Sequence, residues 1–86
     1  MNIHHLVTMA NQIGSFFESY PDQEEARTEI ANHLQRFWAP RMRIQLLEHV
    51  AQQQGEGLHA AVLEAIQANL ARLTPAPPKV AAPAQT

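Results

Sequence analysis

The sequence predicts an all-α fold, a small bundle of three to four short helices over residues 1–73, followed by a disordered Pro- and Ala-rich tail over residues 74–86. Three observations lead there. Apolar side chains recur at three- and four-residue spacing in separate stretches, Pro21, Pro40 and Gly55-Glu56-Gly57 interrupt those stretches, and the text after Leu73 loses its periodicity. With 86 residues, 45% hydrophobic and only 16% charged, the chain makes one domain with a thin core. A domain of this size typically holds roughly 3–5 kcal/mol unless disulfides, a metal or a partner help it, which tilts the reading towards association.

The first helix starts behind Asn2, a good N-cap, and carries Ile3, Leu6, Val7, Ala10, Ile13, Gly14 and Phe17 on one face. Met9, Phe16 and Tyr20 widen that face to about half the circumference, more than the ~100° stripe one core needs. The excess calls for a second surface. Gly14 lies inside the apolar arc, where it weakens the helix but lets a neighbouring element come close. Tyr20-Pro21 stops the helix, because the residue before Pro avoids helical dihedrals. Asp22 then caps a second helix, with Glu25 completing a capping-box pattern. Its narrow stripe is Ala26, Ile30, Leu34 and Phe37, with Trp38 on the shoulder beside Ala31.

Pro40 cannot continue that helix but suits the first turn of a third, from about Pro40 to Gln53, with Met42, Leu46 and Val50 as its core stripe. Arg43 falls within the apolar arc and Arg41 on the polar side. Gly55 is placed to take the left-handed position that ends the helix. A fourth helix comes next, with Leu58, Val62, Ile66, Leu70 and Leu73 on one face.

Composition narrows the function classes. There is no Cys, so disulfides, thiolate nucleophiles, iron–sulfur ligation and the usual structural zinc sites drop out. A net charge of −2 and a pI near 6.2 argue against a general nucleic-acid binder. The start resembles no signal peptide and no run reaches membrane-spanning length, so the expected location is the cytoplasm with no membrane partner. Among the five His, no pair shows the i, i+4 spacing of a helical metal site; His33, His49 and His59, each at the border of an apolar stripe, are read as ordinary boundary residues. Ser15 and Ser19 lack a glycine elbow, and Glu24-Glu25 is explained by the dipole of a helix's first turn. No catalytic, cofactor-binding or metal residues are expected, and the chain reads as a non-enzyme.

The densest stretch is Phe37-Trp38-Ala39-Pro40-Arg41-Met42-Arg43, which holds the only Trp. Residue chemistry leaves two readings of it open. It is either a structural elbow between helices, or a recognition site in which Trp38 and one or both Arg meet a partner, since Trp and Arg are enriched at interface centres and Arg pairs with carboxylate or phosphate. In the second reading Phe37, Pro40 and Met42 set the turn and feed the core. Arg43 is expected to own a defined anionic or carbonyl partner, because an unpaired charge in an apolar arc is costly, and Arg41 is expected to be solvated.

Met9-Ala10-Asn11-Gln12-Ile13 with Phe16-Phe17, then Ile30-Ala31-Asn32-His33-Leu34 leading into Phe37–Arg43, with Leu46-Leu47 and His49 after it, resembles the delta subunit of soluble NAD-dependent, molybdenum-containing formate dehydrogenases. The resemblance implies a small accessory subunit bound to the large catalytic subunit. Molybdopterin, iron–sulfur clusters and flavin would then belong to partner subunits, and this chain would support assembly, cofactor insertion or stability. By similarity Phe37, Trp38, Pro40, Arg41, Met42 and Arg43 form the recognition elbow. The competing expectation is a stand-alone helical binding module, with the spare face of the first helix buried in a homodimer.

Overall fold

The structure is a computed structural model that describes residues 2–75, and within them the only regular elements are helices. These are α1 (Ile3–Phe17), α2 (Gln23–Phe37), α3 (Pro40–Gln53), α4 (Ala60–Ala68) and α5 (Leu70–Leu73). The expected all-α bundle is what the chain forms. The tail anticipated over residues 74–86 lies almost entirely outside the described residues.

Local chemistry accounts for the helix starts. Asn2 caps α1 by accepting from the His4 N–H at 2.7 Å, and Asp22 caps α2 by accepting from Glu24 and Glu25 N–H at 2.9 and 3.2 Å. Pro40 is the first residue of α3, where its missing N–H costs nothing. The end of α3 differs from the sequence expectation by one residue. The left-handed turn begins at Gln54, with φ of 59°, and continues through Gly55 at 71°. A side chain at Gly55 would also displace Leu63, whose Cδ1 would stand 2.7 Å from the added Cβ.

The fourth helix also departs from expectation. Leu58 precedes α4 instead of opening it, and the helix breaks at Asn69, whose φ of −128° is not helical and whose Nδ2 donates to the Ala65 carbonyl at 2.9 Å. The break re-aims the final turn: Leu73 is buried, whereas Leu70, which a continuous helix would have kept on the stripe, is 46% exposed. Asn competes with the helical ladder through this kind of side-chain bond to its own backbone.

The core joins every helix: Leu6 and Ala10 from α1, Ile30 and Leu34 from α2, Leu46 from α3, Val62, Ala65 and Ile66 from α4 and Leu73 from α5, with Trp38 among them. α2 packs on α1, α4 and α5, while α3 packs on α1. Gly14 is where α1 and α4 come closest, as a Cβ at that position would collide with Val62 Cγ2. Two polar clamps tie the periphery. Asn11 donates from Nδ2 to the Gly57 carbonyl at 2.9 Å and accepts the His59 N–H at 2.8 Å, holding the α3–α4 connection on α1. Arg72 on α5 reaches Asn32 and Gln35 of α2, an attachment that the amphipathic pattern alone places on a solvated face.

Two measurements check this packing. Gly14→Ala is expected to destabilise the chain by about 1–3 kcal/mol, because overpacking outweighs a propensity gain of about 1 kcal/mol. Denaturant midpoints should show that adding Val62→Ala to Gly14→Ala costs less than the two single changes summed. Gln54→Gly, by contrast, is expected to stabilise by about 0.5–1 kcal/mol, since it relieves a left-handed residue that carries a Cβ.

Candidate interaction surface

The elbow divides its residues differently from the helical periodicity. α2 ends at Phe37, and Trp38 leaves it with extended dihedrals of −90° and 133°. A wheel angle extrapolated through Trp38 therefore points the wrong way. The indole turns inward and is 6% exposed within the core, while Phe37, the last helical residue, is 68% exposed with its ring 4.8 Å from that of His33. The expected roles are exchanged: Trp38 feeds the core and Phe37 faces outward.

The rest of the elbow forms a depression of its own. Pro40, Arg41, Met42 and Ile44 line a shallow depression with Ala39 at the start of α3, and Met42 also packs against the core. Arg41 is exposed, as expected. Arg43 is half-buried and its Nε–H is buried with no acceptor, so the anionic or carbonyl partner expected for it is not supplied by the described residues. A buried donor left unpaired costs about 1–3 kcal/mol.

Next to the elbow lies a groove along α1. Met9, Ile13, Phe16 and Phe17 form its apolar walls, with Gln12 beside them and His33 of α2 facing them. Phe16 is 69% exposed and stands edge-on to Phe17 at 4.9 Å between ring centres, and Phe17 is edge-on to Tyr20 at 5.3 Å. This is the surplus width of the first helix's apolar face. Leu6, Ala10 and Gly14 use one side of it for the core and the groove uses the other. The contribution of His33 was not evident from sequence, where it reads as a boundary histidine. Its position four residues before Phe37 was the available clue.

Other polar groups are dispersed. His49 Nε2 donates to the Glu56 carbonyl at 2.7 Å, His59 Nδ1 lies 3.6 Å from Glu18, and Arg27 pairs with Glu64 at 3.4 Å. His33, His49 and His59 thus belong to three different neighbourhoods. Among the described residues no group of three His, Cys, Asp or Glu is placed to hold a metal ion. No helix among them is long and apolar enough to cross a membrane.

The family model for the NADH-dependent formate dehydrogenase delta subunit, FdsD, matches residues 5–66, which include most of α1, all of α2 and α3, the elbow and most of α4. The chain belongs to that family. The FdsD match covers both the groove and the elbow and stops before α5. Comparison with curated proteins and with solved structures gives no match.

The exchanged roles of the two aromatics are directly measurable. Trp38→Ala is expected to cost about 3–5 kcal/mol, enough to unfold most of a domain this small, whereas exposed Phe37→Ala should shift stability by no more than about 0.5 kcal/mol. Thermal melts followed by circular dichroism would separate the two.

Proposed function

We propose that this FdsD chain is a non-catalytic accessory subunit that binds the large, molybdenum-containing catalytic subunit of a formate dehydrogenase and supports its assembly, cofactor insertion or stability in the cytoplasm. The observation that carries the reading is the family match over residues 5–66, together with the outward-facing aromatic groove and elbow that fall inside it. Phe37, Pro40, Arg41, Met42 and Arg43 are the elbow residues available to a partner. Trp38 acts through the fold by holding them in place.

Physical reasoning supports an accessory role. Phe16 and Phe37 together expose large aromatic surface that a monomer of this size gains nothing by leaving in water. The depression at the elbow is lined mainly by apolar side chains, which suits a protein partner. In this reading formate oxidation, electron transfer and NAD reduction belong to the partner subunits, which would carry the molybdopterin, iron–sulfur clusters and flavin.

Co-expression of a tagged copy with the other formate dehydrogenase subunits tests this. The expected result is recovery of the large catalytic subunit with the tagged chain, and a lower molybdenum content of that subunit when the chain is deleted. Recovery of the chain only as a homodimer, with full molybdenum loading in its absence, would remove the proposal.

A further inference from the structure

The helices are not held equally. α1 and α4 each bury three residues and α2 four, whereas α3, with 14 residues, buries only Leu46. Met42, Leu47 and Val50 pack against the core but stay half-buried. α3 rests on α1, and the side-chain ties between the other elements pass it by. Arg72 joins α5 to α2, Arg27 and Glu64 join α2 to α4, and Asn11 and Glu18 join α1 to His59 at the start of α4; none of these involves α3.

Both flanks of α3 are anchored more firmly than α3 itself. Trp38 sits in the core just before it, and just after it Gly55 is buried and Asn11 holds the Gly57 carbonyl. Two local costs fall between these anchors. Gln54 is held at a φ of 59°, which is unfavourable for a residue with a Cβ, and the Arg43 Nε–H is buried without an acceptor. Both costs disappear when the segment leaves α1 and unwinds into water. A helix of 14 residues is marginal in water without tertiary packing, so leaving α1 and unwinding go together. Segments with few buried apolar side chains open below the free energy of the whole fold.

We infer that residues 39–54 are an opening segment: α3 leaves α1 and unwinds as one unit while α1, α2 and α4 stay folded, with Trp38 and Gly57 as its fixed ends. Opening uncovers Leu46 with Met42, Leu47 and Val50, and the part of α1 on which they rest. It also removes the depression of Ala39, Pro40, Arg41, Met42 and Ile44, which exists only while the start of α3 is helical. The opening equilibrium therefore sets how much of the protein presents that depression. This is a property of the free chain and does not depend on the accessory role.

Native-state hydrogen exchange of the full-length chain, read residue by residue by NMR under conditions where exchange reports the opening equilibrium, tests this. Amides 43–53 are expected to show protection factors about tenfold or more below those of residues 31–34 in α2, and to share one value. Ile66→Val in α4 should keep the helical circular dichroism spectrum and accelerate the α2 amides roughly two- to tenfold, while amides 43–53 exchange as in wild type, because α3 opens without disturbing residue 66. Equal protection of α3 and α2, or acceleration of both by Ile66→Val, would overturn the inference, since either result makes the chain a single cooperative unit. Protection that declines steadily towards one end of α3 marks fraying and would overturn it as well.

Discussion

The placement of Trp38 is the constraint on which the rest of the structure depends. One residue with extended dihedrals after α2 turns the largest side chain of the protein into a core shared by all the helices. That step ends α2, brings Pro40 to the first position of α3, and leaves Phe37 outside beside His33. A buried indole contributes more apolar area than any other single side chain, so a thin core gains disproportionately from claiming it. The consequence is that the chain presents Phe37, and not Trp38, to its surroundings.

Close approach and polar clamping share the remaining work. Gly14 against Val62 lets α1 and α4 approach where any Cβ would collide, and Asn11 bridges α1 to the connection that precedes α4. Arg72 fastens short α5 to the polar side of α2 through Asn32 and Gln35, so Leu73 can reach the core although α5 is only a single turn long. These contacts occupy one side of α1 fully. Its other side, from Met9 to Phe16, lines the groove that His33 faces from α2.

Arg72 and Arg43 differ in how far the chain satisfies them. Arg72 bonds to Asn32 and Gln35 of α2 and to Asn69, and so has a complete role within the chain. Arg43 is half-buried, and its Nε–H finds no acceptor. A thin core has little stability to spare for such a group.

Much of the architecture was readable from the amino-acid order because the signals are local. Caps at Asn2 and Asp22, the breaks at Pro21 and Pro40, and the apolar repeats each act within a few residues, so they set the helix boundaries of α1, α2 and α3 without reference to the fold. The surplus apolar width of the first helix, which became the groove, was equally visible. Whether Phe37 or Trp38 faced the core was not, because helical periodicity ceases to apply once the backbone becomes extended at Trp38. The break at Asn69 and the exposure of Leu70 depended on a side chain choosing its own backbone over the helical ladder, and the lack of an acceptor for Arg43 depended on which neighbours packing brought near. Those choices belong to tertiary structure, since each is decided by competition among groups distant in sequence or by a backbone turn that a one-dimensional repeat does not record.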